Sequence, residues 1–280
     1  MTNDSKIGFM QGRLVNSIDN QIQCFPKHTW KNEFELAKKT GFHLIEWIFD
    51  DLSNPILFSE NHTEIQTLCK KHDVLINSLC ADFFMVHKLF SEPENELLKN
   101  LEILKNLIKI SSELGIKIIE IPLVDSSSLR SSNNKTEFCE NLKTFVPLAE
   151  KYGIILNLET DLPPEEFKIL IDYFESSNIR ANYDVGNSTS LGYDIENELY
   201  VLKDLITNIH IKDRIVGGAT VPLGNGDTNF DLFFKTLAKI GYSGDFIIQG
   251  AREDENVISP HETCSKYRSF VKNYLDAYFK

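Results

Sequence analysis

The chain has 280 residues, 42% of them hydrophobic, and a formal net charge of −12. That length suits one large domain or two small ones, and the apolar content is ordinary for a soluble globular protein. So negative a chain repels phosphate backbones and anionic lipid, which argues against nucleic acid and membrane surfaces as partners, while local Lys and Arg can still hold a small anion.

In chain order, residues 6–9 read as a first strand with a loop after it. Residues 30–40 have helical spacing and stop at Gly41. Residues 43–47 form a strand ending in Glu46-Trp47, residues 63–71 a helix, and residues 74–79 a strand leading to Asp82. Ser91 is expected to cap a long helix with Glu92 and Pro93 in its first turn, running to Gly115. A strand at 116–121, a polar loop at 125–135 and a single helix at 136–152, closed by Gly153, complete the first half. The second half repeats the rhythm. Strands are expected at 154–158, 179–183, 206–211 and 245–249, and helices from 162 to 174, at 195–202, 231–240 and 261–279. Strands this apolar are buried on both faces, as in a parallel sheet. Eight strand–helix units without a linker or low-complexity segment predict one (β/α)₈ TIM barrel over residues 1–280. A doubly wound sheet is the alternative, but no G-x-G-x-x-G follows the first strand.

The five cysteines, Cys24, Cys69, Cys80, Cys139 and Cys264, are scattered and odd in number, which favours a reducing compartment over a disulfide framework. Residues 1–6 carry no basic, apolar signal and no run approaches roughly 18 apolar residues, so the expected location is cytoplasmic.

Barrel chemistry sits at the carboxyl ends of the strands. Four of those ends carry metal-competent side chains: Glu159, Asp184, His210 and Gln249, on the fifth to eighth strands. Taken singly, each reads as a cap, a loop residue or a core histidine. Four at equivalent ends of consecutive strands point to one divalent metal, and oxygen ligands with one imidazole suit Mn²⁺, Mg²⁺, Co²⁺ or Zn²⁺. Lys212, Arg214 and Arg252 lie just past strand ends and can bind anionic groups.

The order Glu159, Asp184-Val185-Gly186-Asn187, His210-Ile211-Lys212-Asp213, then Pro222-Leu223-Gly224-Asn225-Gly226-Asp227, resembles the xylose isomerase-like superfamily of sugar epimerases and isomerases. Within it the chain is most similar to the L-ribulose and L-xylulose 5-phosphate 3-epimerases. The resemblance implies a (β/α)₈ barrel, one divalent metal at Glu159, Asp184, His210 and the eighth-strand position, and proton transfer by the first and last of these. It also implies a small sugar or sugar-phosphate substrate and leaves a homo-oligomer open. More distant keto-hexose epimerases place a second Glu six positions after the first, here Glu165, and a His three after the Asp, here Asn187.

One departure changes the chemistry expected. The eighth-strand residue is Gln249, whose amide can ligate a cation but cannot accept a proton. Epimerisation removes a proton from one face and returns it to the other, which takes two groups; shifting a carbonyl between neighbouring carbons can use one. Glu159 is then the remaining proton carrier, with Glu46 and Asp82 as substitute acids or substrate contacts. Competing readings are a metal-dependent lyase resembling inosose dehydratases and a non-catalytic sugar-binding barrel. An abasic-site endonuclease on the same fold is disfavoured by the charge and by Asn187 in place of a histidine.

Overall fold

The computed structural model describes residues 6–279; residues 1–5, part of the polar N-terminal stretch, lie outside them. Eight parallel strands close into a barrel: β1 (Ile7–Met10), β2 (Leu44–Ile48), β3 (Leu75–Cys80), β4 (Ile118–Leu123), β5 (Ile155–Thr160), β6 (Ile179–Asp184), β7 (Ile206–Ile211) and β8 (Asp245–Ile248), with β8 hydrogen-bonded back to β1. β2 and β4 are buried along their whole length, because one face fills the barrel and the other meets the surrounding helices. Ile119, Ile121, Ile209, Ile211, Phe233 and Phe234 belong to the continuous apolar core. All five cysteines are free thiols. Among the described residues no helix is long and apolar enough to cross a membrane.

Several elements depart from the sequence reading. The expected helix at 136–152 is two helices, Ser132–Lys143 and Val146–Tyr152. Pro147 explains the break: in one continuous helix its ring would collide with the carbonyl of Lys143. Ser91 does not cap the long helix. It takes a positive φ of 54°, and the helix Glu94–Leu114 starts behind Pro93. A short helix, Val185–Leu191, follows β6 directly, with the Asp184 side chain capping it by accepting from Asn187 N. Between β7 and β8 a small two-stranded ribbon, Asp213–Arg214 against Thr220–Val221, sits above the barrel mouth.

Candidate metal centre and sugar cleft

The alternation of strand side chains sends every second residue into the barrel. On β6 and β7 those positions carry Asn182 then Asp184, and Asn208 then His210, with Asp184 and His210 paired in register. On β5 Glu159 is the penultimate residue, beside Pro122 of β4. Glu159, Asp184 and His210 each offer a ligand atom, all within 4.8 Å of one another. All three are buried, at 6%, 5% and 1% exposure, so they are fixed by their surroundings rather than by water.

A ring of hydrogen bonds sets their orientation. Glu46 of β2 lies behind His210, its Oε1 2.6 Å from Nε2. Glu46 Oε2 accepts from Asn208 Nδ2 at 2.8 Å, and Asn208 Nδ2 also donates to Asn182 Oδ1 at 2.9 Å. Asn182 Nδ2 then donates to Glu159 Oε2 at 2.6 Å, and Asn187 Nδ2 to Glu159 Oε1 at 2.8 Å. The ring closes where His210 Nδ1 stands 3.1 Å from Glu159 Oε2. A carboxylate on Nε2 fixes the tautomer and leaves Nδ1 as the nitrogen facing the other ligands, the usual arrangement behind a metal-binding histidine. Burial alone would lower the His210 pKa; the Glu46 and Glu159 carboxylates outweigh it and hold it well above the ordinary imidazole range.

Asp184 accepts from Asn187 N through Oδ1 at 2.8 Å and faces the Lys212 ammonium through Oδ2 at 2.7 Å. Gly186 makes that approach geometrically available: a Cβ there would stand 2.7 Å from Lys212 Cβ. Of the buried atoms here, Gln249 Oε1 has no hydrogen-bond partner among the described residues, while Asp184 Oδ2 has only the Lys212 ammonium and His210 Nδ1 only the Glu159 carboxylate beside it. Two carboxylates and an imidazole grouped this closely, with an unsatisfied amide oxygen lining the same cleft, are a donor set that a divalent cation fits. The Gln249 amide is itself oriented, because its Nε2 donates to Gln23 Oε1 at 2.7 Å while Gln23 Nε2 donates to Asp82 Oδ2 at 2.7 Å.

These groups open onto a cleft of about 310 Å³ at the carboxyl end of the barrel. Asp82, Glu159, Asn187, His210, Lys212, Arg214 and Gln249 line it. Arg214 reaches Asn187 Oδ1 through Nη1 at 2.9 Å and Gly218 O through Nη2 at 2.8 Å. Three residues of the expected set lie elsewhere. Glu46 is fully buried behind His210, with both oxygens engaged, and cannot touch substrate. Glu165 sits exposed in the first turn of the helix Pro164–Asp172 and accepts from Asn197 Nδ2. Arg252 is bound to the carbonyls of Gly12, Val15 and Ile22 and to Glu255, so it braces the β1 loop. Sequence reasoning missed Gln23, Asn182, Asn208 and Glu120. Glu120 lies on β4, lines the cleft, and has neither carboxylate oxygen hydrogen-bonded among the described residues. Burial, then the neighbouring Glu159 charge, push its carboxyl well above the usual carboxylate range. A lone acid inside Ile118-Ile119-Glu120-Ile121 was the signal available.

Comparison with known proteins identifies the family and the fold. Residues 34–265 match the family described as xylose isomerase-like TIM barrel. An L-ribulose-5-phosphate 3-epimerase UlaE of Escherichia coli O1:K1 is 27% identical over 255 residues, 87% of this chain and 89% of that protein. Among solved structures, the IolI protein with a binding zinc atom superposes with a TM-score of 0.79 at 18% identity, covering 98% of this chain and 99% of that one. An L-ribulose 3-epimerase superposes with a TM-score of 0.74 at 18% identity over 98% and 95%. At these identities the superpositions speak for the fold.

Proposed function

The chain belongs to the xylose isomerase-like TIM-barrel family, and on that premise we propose that it is a sugar isomerase or epimerase acting on a ketose or ketose phosphate through an enediolate at a divalent metal centre. The observation that carries the reading is the convergence of Glu159, Asp184 and His210 near the ends of three consecutive strands, their ligand atoms within 4.8 Å of one another, at a cleft that Glu159 and His210 line. The sugar-phosphate relative, similar over most of its length, supports the substrate class.

A bound divalent cation would polarise two neighbouring substrate oxygens and acidify the C–H between them. The chain's own residues do the rest. Glu159 is the proton carrier: Asn182 and His210 face its Oε2 and Asn187 donates to its Oε1, fixing the carboxylate with a lone pair left on Oε1. Lys212 and Arg214 face the same cleft and suit the anionic end of a sugar phosphate. Gln249 presents an amide oxygen and takes no proton, so proton movement is confined to the Glu159 face. A carbonyl shift between neighbouring carbons is therefore favoured over rapid 3-epimerisation.

The test is a panel of ketoses and ketose 5-phosphates in deuterated water, with protein stripped by chelator and reloaded with Mn²⁺, Co²⁺, Zn²⁺ or Mg²⁺. The expected result is metal-dependent deuterium entry from a single face, lost in Glu159→Gln. Metal-loaded protein that exchanges no proton with any sugar refutes the enzymatic reading. Fast exchange on both faces refutes the one-base argument alone.

A further inference from the structure

Glu120 has no place in the scheme above, and two electrostatic deficits meet around it. The first is its own. Its side chain is 1% exposed and both oxygens lack a hydrogen-bond partner among the described residues. The neighbouring Cys80 thiol, a weak donor, turns to Asp82 Oδ1 at 3.2 Å. An ionised carboxylate buried in this way carries a large desolvation cost, which a proton or a bound cation would offset. The second deficit belongs to the metal centre. Asp184 shares its charge with Lys212 at 2.7 Å, and His210 and Gln249 contribute none as ligands. A divalent cation held by Glu159, Asp184, His210 and Gln249 alone is left short of negative charge in a buried site.

The two deficits cancel if they share the ion. Glu120 has a ligand atom within 4.8 Å of ligand atoms of Glu46 and His210, while Glu159 and Asp184 form a second such set with His210, so the two sets meet at that imidazole; Glu120 also lines the same cleft as Glu159, His210 and Gln249. Glu46 is already committed to His210 and Asn208, which leaves Glu120 as the carboxylate free to turn to a cation. We propose that Glu120 supplies the third carboxylate of the divalent-metal site, replacing one from the eighth strand, with Glu159, Asp184 and His210 as its companions and Gln249 as a neutral neighbour. The inference rests on the metal-centre reading and adds a ligand to it.

The experiment is metal titration of the chelator-stripped full chain against a chromophoric competitor, with the visible absorption of the Co²⁺ form as a second readout. Wild type should take up one ion per chain. Glu120→Gln, nearly isosteric with the protonated acid, should fold with a metal-free melting temperature close to that of wild type. It should bind the ion about 10²-fold more weakly, the upper end of what even indirect perturbations of a metal site cost, and show an altered Co²⁺ spectrum. The exchange E120Q/Q249E, which moves the carboxylate to β8, should bring affinity back to within a few-fold of wild type. If wild type binds one ion and Glu120→Gln binds it equally well with the same spectrum, Glu120 is a buried neutral acid and the proposal is overturned, while the metal centre stands. If wild type takes up no ion, the metal centre falls and the proposal with it. Should Glu120→Gln not fold, the exchange variant decides, since a folded E120Q/Q249E without metal affinity contradicts the proposal directly.

Discussion

Glu159 and Glu46 hold carboxylates against opposite nitrogens of His210 with opposite duties, and their hydrogen bonds say which is which. Glu159 faces the cleft and has a lone pair left over; Glu46 is sealed behind His210. Glu159→Gln should lower turnover by about 10²–10⁴-fold, the range for a lost general base. It should also cost stability, because the new amide nitrogen meets a donor on Asn182 or Asn187 and leaves a buried group unsatisfied, about 1–3 kcal/mol. A kinetic assay beside a melting curve separates the two, and full activity in the folded variant would move the proton to another group. Glu46→Gln should behave differently. Its amide can still accept from His210 but loses the charge that holds the imidazole. The expectation is metal affinity lower by about 10–100-fold, with turnover largely recovered at saturating metal. Turnover that stays low under saturation would make Glu46 a participant in the chemistry.

At the scale of elements, the loop after β7 is held by one side chain. Asp213 is fully buried and its carboxylate accepts from the backbone N–H of Gly224, Gly226 and Thr228. Gly226 has to be glycine, since a Cβ would run into that carboxylate. Charge-assisted hydrogen bonds of this kind contribute about 1.5–3 kcal/mol each. Asp213→Ala should therefore release the ribbon that carries Arg214. The expected readouts are protease cleavage within residues 214–228 and a raised KM for a phosphorylated substrate, with kcat affected less. A variant as protease-resistant as wild type would mean the ribbon is anchored elsewhere. The Pro-x-Gly-x-Gly stretch was visible in the sequence, but what it folds onto was not, because the anchor lies eleven to fifteen residues upstream. The strands were the legible part: runs such as Ile118–Leu123 and Ile206–Ile211 are almost wholly buried and read as isoleucine-rich segments. Asp184, His210 and Glu159 were legible for the same reason, as polar residues ending such runs. Asn182 and Asn208 were in plain view two residues earlier, at the spacing that puts them on the same face, yet isolated amides carry no charge signal. Glu120 was passed over as part of a strand. The resemblance brings Glu165 to the site and a place just past a strand end brings Arg252, yet Glu165 lies exposed on its helix and Arg252 is tied to the β1 loop.

Across the whole molecule, the −12 charge keeps anionic macromolecules away while the cationic Lys212 and Arg214 stay at the mouth of the cleft. The same acid-rich interior governs how stability responds to pH. Glu33, fully buried under the β1 loop, accepts from Gly12 N at 2.8 Å and Leu14 N at 3.2 Å through Oε1 alone. Desolvation pushes its carboxyl up to about 7, against the opposing pull of those two N–H groups and of Arg252 and Arg13. Glu198, beside Tyr183 and Ser188, is likewise pushed up to about 7 by burial. Between the unfolded value of 4.5 and about 7 the native protein keeps protons that the unfolded chain has released, so stability falls as pH rises through that window. His210 pulls the same way in metal-free protein, since its raised pKa stabilises the fold at low pH and that contribution disappears above it. The metal-free melting temperature should therefore decline from about pH 5 to about pH 8. Glu33→Gln isolates one contributor: the amide oxygen can keep both N–H partners, and the amide nitrogen replaces an oxygen that has none. At roughly 1.4 kcal/mol per pKa unit, Glu33 accounts for on the order of 2–3 kcal/mol of the decline. The variant should match wild type near pH 4.5 and exceed it at pH 8. Parallel melting curves for the two proteins across this range would show that Glu33 does not titrate with folding, and would place the pH dependence at Glu198 and the metal centre instead. The consequence reaches the site, because the loop Glu33 supports also carries Gln23, and Gln23 fixes the amide of Gln249.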